Sequence, residues 1–237
     1  MDKADCFGTI SFFGHGQGVY NCVFEMTGFS PLDRDWILIG LAECCAERGY
    51  EATSVAEICA EAGVARESFE RLFADKEECL AAAAESVIAE ARSRIETAHS
   101  PGMSWAASLR TGAGAVLELL AERPALAYAT LVEAPVAGGH AQELHAAARA
   151  EALAYLEGGR EHAVEQGIPA SAGHGALAGV EALLVFQLLG GHGKDLGAQA
   201  DAVTYLLAVP YLGRRAAAQA AESGRRDTAP RRLRAVA

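Results

Sequence analysis

From Leu32 onward, apolar residues return every three or four positions, the spacing of helices buried along one face. Asp33 serves as an N-cap for the first. Trp36, Ile37, Leu41, Cys44 and Cys45 form its apolar stripe, Glu43, Glu47 and Arg48 lie outside it, and Gly49 stops it. Thr53 and Ser54 can cap a second, short helix carrying Val55, Ile58 and Cys59. Glu57, three residues after Ser54, completes a capping-box pattern. Gly63 ends that helix, a third carries Ser68, Phe69, Leu72 and Phe73, and Asp75 opens a long helix to about His99. Breaks at Pro101-Gly102, Arg123-Pro124, Pro135 to Gly139, Gly167 to Pro169 and Gly190 to Gly193 then predict helices over 103–122, 124–134, 140–166, 172–189 and 195–221. Pro210 should kink or split the last of these. No strand and no repeat emerges, so the fold class is all-α.

The two ends depart from this pattern. Residues 1–31 intersperse glycines with Phe7, Phe12, Phe13, Phe24 and Phe29 without a helical period, which predicts a loose N-terminal extension. Gly14-His15-Gly16-Gln17-Gly18 has the glycines of a phosphate loop but no following Lys and no strand-helix frame. Residues 214–237 are Arg-rich and expected to fray as a solvated tail, with nonspecific nucleic-acid contact as the alternative. The most apolar run, Ala176 to Leu189, is broken by Glu181 and Gln187 and reads as a buried helix too short for a membrane span. With no basic start leading into an apolar run, a cytoplasmic protein is expected.

Composition narrows the choice. The 237 residues are 51% apolar and only 7% aromatic, with abundant Ala and Gly, which suits close-packed helices. Cysteines at 6, 22, 44, 45, 59 and 79 contain no Cys-x-x-Cys pair, and read as small apolar core residues in preference to a redox switch. His140, His145, His162, His174 and His192 show no ligand spacing, so neither a metal nor a cofactor is expected. No nucleophile elbow is present either, and the chain is not expected to be an enzyme. A formal charge of -11 argues against a nucleic-acid partner when read globally.

Local pattern argues the other way. Ala62-Gly63-Val64 joins the second and third helices as a helix-turn-helix does: Gly63 permits a left-handed turn and Val64 plugs the junction. Ile58, Phe69 and Phe73 would then seat the third helix, turning Arg66, Glu67, Ser68, Glu70 and Arg71 outward toward a major groove. The run from Arg48 to Ile58, then Ala62-Gly63-Val64, Ser68-Phe69 and Phe73-Ala74-Asp75-Lys76-Glu77, resembles the N-terminal domain of the TetR family of transcriptional regulators in order and spacing. The resemblance covers about residues 34–80. It implies an N-terminal three-helix DNA-binding domain (32–80) followed by a helical ligand-binding and dimerisation domain (81–213).

Carried over position by position, the resemblance gives Thr53 and Lys76 phosphate contacts and places Ala65, Arg66, Glu67 and Ser68 at the opening of the recognition helix. Arg66 is the best base reader, a guanidinium being able to pair bidentately with guanine, against the plainer reading of a solvated charge. Arg71 adds a further contact, and Glu67 can accept from a cytosine amino group. Two departures stand out. Glu70 occupies a position where the family usually has a phosphate-contacting Tyr, and residues 33–80 hold five basic residues against twelve acidic ones. DNA contact must therefore rest on a few placed groups.

In the second domain, helices over 103–166 should enclose a sensor pocket. Trp105, Tyr128, His145 and Tyr155 are its candidate ligand contacts, with ordinary core packing the alternative for each. The helices near 172–189 and 195–212 should pair with their copies in a homodimer, unless they simply complete an intramolecular core. A dimer would set two recognition helices about 34 Å apart on double-stranded operator DNA. The whole reads as a ligand-responsive regulator, most simply a repressor released by a small apolar or amphipathic molecule. The alternative is a protein of the same fold that has lost DNA binding and acts through ligand or protein partners.

Overall fold

The computed structural model describes residues 31–163 and 167–227, and every element among them is helical. In chain order these are α1 (Pro31–Arg48), α2 (Val55–Ala62), α3 (Arg66–Leu72), α4 (Lys76–Ala98), α5 (Trp105–Glu122) and α6 (Pro124–Tyr128). A π-helical turn (Ala129–Glu133), α7 (Ala134–Ala137), α8 (Gly139–Glu157), a 3-10 turn (Gly158–His162), α9 (Ala172–Leu189), a second 3-10 turn (Gly193–Gln199) and α10 (Ala200–Asp227) complete the chain. The expectations for residues 1–30, including the phosphate-loop-like glycines, Cys6 and Cys22, lie outside the described residues, as does the end of the Arg-rich tail.

The N-terminal domain forms where its sequence signals it. Ser54 caps α2 with the full reciprocal box: its hydroxyl accepts from the Glu57 N–H, and the Glu57 carboxylate accepts from the Ser54 N–H at 2.8 Å. The Ser54 hydroxyl, donating to the carboxylate at 2.7 Å, and the Ser54 N–H, with Arg48 beside them, hold the Glu57 carboxyl below its ordinary pKa. Gly63 ends α2 at φ 66°, left-handed backbone that a residue with a Cβ adopts only under strain. Gly40 in α1 is a close approach that the hydropathy pattern did not single out. A Cβ there would stand 3.0 Å from the Ile58 carbonyl and the Ala62 nitrogen, so α1 and α2 pack almost backbone to backbone.

Beneath them Ile37, Leu41, Ile58, Phe69, Phe73 and Leu80 make a dry core, with the Phe69 and Phe73 rings 5.6 Å apart. Val64 packs half-buried against it at the turn. The free thiols of Cys44, Cys45, Cys59 and Cys79 are buried, and burial pushes the Cys45 thiol up to about 12. A thiol so hard to ionise is a packing group, not a nucleophile. Trp36 departs from its predicted stripe and is 54% exposed. It lies one residue before the buried Ile37 and Leu38, outside the face of α1 that Ile37, Leu38, Leu41, Ala42, Cys44 and Cys45 bury.

α4 belongs to both halves. Its first turns carry Cys79 and Leu80 into the N-terminal core, while its length packs on α5 and α8. The π-helical turn meets α1, α4 and α9 together, and such a turn inserts an extra residue into the ladder where a helix is locally re-aimed. Its Glu133 carboxylate approaches Gly49 at the end of α1, and Glu77 of α4 fills the space where Gly139 has no Cβ.

α9 is long and apolar enough to cross a membrane by length and composition alone. Gly173, Val180, Leu184 and Leu188 face inward. Ala178, Gly179, Ala182, Phe186 and Leu189 form an outward apolar stripe, Phe186 being 72% exposed. Within the single chain the helix expected to be buried there is covered on one side, and its other side is exposed. In α10 the break falls at Gly213 (φ 70°), three residues after Pro210, and helix resumes through Asp227, beyond the expected start of fraying.

Candidate nucleic-acid interface

α3 is short, and position rather than length makes it a candidate reader. Phe69 is buried beneath it, while Arg66, Glu67, Glu70 and Arg71 stand exposed, with Ala65 as an N-cap in extended backbone and Ser68 half-buried. Five of the predicted contacts, Ala65, Arg66, Glu67, Ser68 and Arg71, thus sit together on one accessible element. The side chains on α3 are also paired. Arg66 Nε donates to Glu70 Oε1 at 2.7 Å, and this bond raises the guanidinium pKa further. Arg71 Nη2 donates to the Ser68 hydroxyl at 3.0 Å and makes no ion pair among the described residues. Sequence reading treated Glu70 only as a phosphate repeller. The signal it missed was the i,i+4 spacing from Arg66, which brings two side chains together on a helix.

The remaining two predicted contacts are engaged within the protein. Thr53 is buried at 2% exposure, and its hydroxyl donates to the Gly49 carbonyl at 2.8 Å while its N–H donates to the Tyr50 carbonyl. Its side chain pins the α1–α2 turn and is withdrawn from any phosphate. Lys76, half-buried, extends across the same turn. Its ammonium donates to the carbonyls of Tyr50 (3.0 Å), Thr53 (3.1 Å) and Glu51 (3.4 Å) and lies 4.3 Å from the Tyr50 ring centroid. An ammonium has three protons to give, and the loop takes them. Sequence spacing cannot reveal this, because the loop and the lysine meet only after α1 and α4 have packed. Lys76→Met is accordingly expected to cost about 1–3 kcal/mol of stability, the worth of charge-assisted bonds to half-buried carbonyls. Denaturant titration reads that cost. If Lys76→Met instead leaves stability intact while flattening the salt dependence of DNA binding, the phosphate role stands.

Electrostatics around α3 are balanced, not basic. Arg48 is held by Glu47 and Glu57, and Arg34 lies 6.0 Å from the Phe73 ring centroid. Arg71 is therefore the recognition-helix cation with no carboxylate drawing off its charge.

The four candidate ligand contacts do not converge. Trp105 Nε1 donates to the Tyr155 carbonyl at 3.5 Å, and its ring stacks on His162 and meets Tyr211 edge-on. Tyr211, pushed up to about 12 by burial and the Glu157 carboxylate, donates to Glu157, which Arg160 also holds. Trp105 and Tyr155 thus brace the far end of α8. Tyr128 lies at the other end, beside Glu133 and near Cys45, and His145 is half-buried on α8. None of the four lines either of two open surface clefts at the joint between the N-terminal domain and the remainder. One, of about 480 Å³, is bounded by Leu38, Ile39, Ala42, Arg123, Pro124 and Leu126. The other, of about 420 Å³, shares Ser86 and Arg123 with it. Among the described residues no group of three or more His, Cys, Asp or Glu side chains could hold a metal.

Residues 37–83 match the family described as bacterial regulatory proteins, tetR family. No curated protein matches the sequence. The fold is similar to that of the fatty acid degradation regulator FadR from Bacillus halodurans, at TM-score 0.63 and 20% identity, covering 76% of this chain and 96% of that one. It is also similar to FadR from Bacillus subtilis, solved in complex with stearoyl-CoA (TM-score 0.58, 21% identity, 74% and 98% covered). PfmR from Thermus thermophilus, a TetR family transcriptional regulator, gives 0.58 and 21% over 73% and 94%.

Proposed function

We propose that this chain, whose residues 37–83 match the tetR family of bacterial regulatory proteins and whose described elements are all helical, is a dimeric, ligand-responsive transcriptional repressor. The observation that carries this reading is the exposed α3, seated on Phe69 and presenting Arg66, Glu67, Ser68 and Arg71. An element so placed, with polar side chains outward and a rigid core beneath, has the geometry of a major-groove reader. The outward apolar stripe of α9, beside α10, supports a homodimer through these two helices, since contiguous exposed apolar surface marks an interaction face. Residues 32–80 then read DNA and residues 81–213 sense and dimerise, with α4 shared between them. The cytoplasm is the working compartment, and no membrane takes part.

The effector is an amphipathic small molecule, the chemistry of the stearoyl-CoA bound in the Bacillus subtilis neighbour. It acts only through its differential affinity for the DNA-fitting and DNA-misfitting states. The joint made by the π-helical turn, Glu133 against Gly49 and Glu77 against Gly139 is where that difference would pass between domains. The net acidity of residues 33–80 favours a second reading, a protein of this fold that no longer binds DNA and acts through ligand or protein partners.

Fluorescence anisotropy of the full chain against the DNA upstream of its own gene separates the two. Salt-sensitive binding is expected, and Arg66→Ala should weaken it by about 1–3 kcal/mol and relax preference at one base pair. Absence of salt-sensitive binding in any ligand state would leave the second reading.

A further inference from the structure

We propose that Glu70 is a positioning residue for DNA reading, holding the Arg66 guanidinium so that its outer edge meets a guanine. The inference rests on the DNA-reading proposal above and assigns a specificity role within it. Arg66 opens α3 and Glu70 stands one turn further on; both side chains are more than half exposed, and Arg66 Nε donates to Glu70 Oε1 at 2.7 Å. Nε is the inner donor of the fork. With it held, the edge carrying Nη1 and Nη2 has no hydrogen-bond partner among the described residues and offers two parallel donors. Guanine presents two matching acceptors, O6 and N7, on its major-groove edge.

The carboxylate also does something a neutral brace would not. It cancels much of the charge that would draw Arg66 to the nearest phosphate, a contact that carries no sequence information. The second arginine of α3 is treated differently: Arg71 is held by the neutral Ser68 hydroxyl and keeps its full charge. The helix thereby divides its two cations into a base reader restrained by a carboxylate and a backbone anchor restrained by a hydroxyl. An acid that looked hostile to DNA becomes the reason one arginine reads sequence.

The test uses the full chain as wild type, Glu70→Ala and Glu70→Gln. Each is taken through selection from a randomised duplex pool. Affinities are then measured for the selected duplex, for the same duplex with single G·C to A·T changes, and for random duplex between about 50 and 200 mM salt. Wild type is expected to prefer G·C at one position of each half-site by about tenfold or more. Glu70→Ala should reduce that preference to roughly threefold or less. It should also tighten random-duplex binding several-fold and steepen the log–log salt slope by about one, as the freed guanidinium takes a phosphate. Glu70→Gln keeps a carbonyl acceptor without the charge. It should retain the guanine preference while gaining random affinity, which a merely helix-stabilising role would not produce. If Glu70→Ala keeps the full wild-type guanine preference, the inference is overturned. A wild type that enriches no sequence at all overturns the DNA-reading proposal beneath it, a distinct result.

Discussion

Phe186→Asp is expected to turn the proposed dimer into a monomer and to weaken the proposed operator binding by at least about 100-fold. Phe186 is 72% exposed on α9, at the centre of an outward stripe with Ala182 and Leu189, so in the single chain an aspartate there costs little folding stability. In a two-fold interface the substitution occurs twice, once in each copy. Each carboxylate must leave water without a partner, a penalty of several kcal/mol. Loss of the dimer leaves one recognition helix per particle, and the gain from engaging two half-sites together disappears. Sedimentation velocity at micromolar concentration reads the first effect and anisotropy the second. Val136→Asp is the control, since Val136 is equally exposed but lies on α7. A Phe186→Asp protein that sediments as a dimer would remove α9 from the proposed interface.

Phe69→Ala carries the other large effect, and it acts on folding. Phe69 is 1% exposed, packs on Phe73 and is the buried anchor of α3. Truncating a fully buried Phe costs about 3–5 kcal/mol in lost transfer energy and residual cavity. A domain protein has only about 5–15 kcal/mol in total, and a seven-residue helix has no stability of its own to fall back on. The melting midpoint should fall by roughly 6–20 °C, and operator binding should go with it. Hydrogen exchange should show α3 losing protection before α5 and α9. A midpoint unchanged within about 2 °C would mean that α3 is seated by something other than this ring.

Much of the architecture was legible along the chain, because its causes are local. The capping box at Ser54 and Glu57 and the left-handed Gly63 appeared where the sequence signalled them, and so did the buried apolar set of Ile58, Phe69 and Phe73. The caps and turns depend on residues a few positions apart. Other placements were not read from the sequence. Thr53 carries a residue type suited to phosphate, yet its hydroxyl is taken within its own turn by the Gly49 carbonyl. Lys76 gives its protons to the Tyr50, Glu51 and Thr53 carbonyls, a contact that forms only when α4 docks. Trp105, Tyr128, His145 and Tyr155 share a composition signal for a pocket, but their helices place them at separate ends of the domain.

The order of the helices and the caps and turns of the N-terminal domain were therefore determined by the sequence alone, since hydropathy period and capping act within one or two turns, whereas the face that α9 buries and the breaks within 124–137 and α10 were decided by packing. Whether a polar group remains available to a partner depends on which carbonyl or carboxylate claims it first. Within one helix or turn the claimant is near in sequence, as Glu70 is for Arg66 and Gly49 for Thr53, whereas the carbonyls that take Lys76 come from a part of the chain that only tertiary packing brings to it. So Lys76 ended as a brace for the α1–α2 loop, and Glu70, an apparent obstacle to DNA, ended beside Arg66.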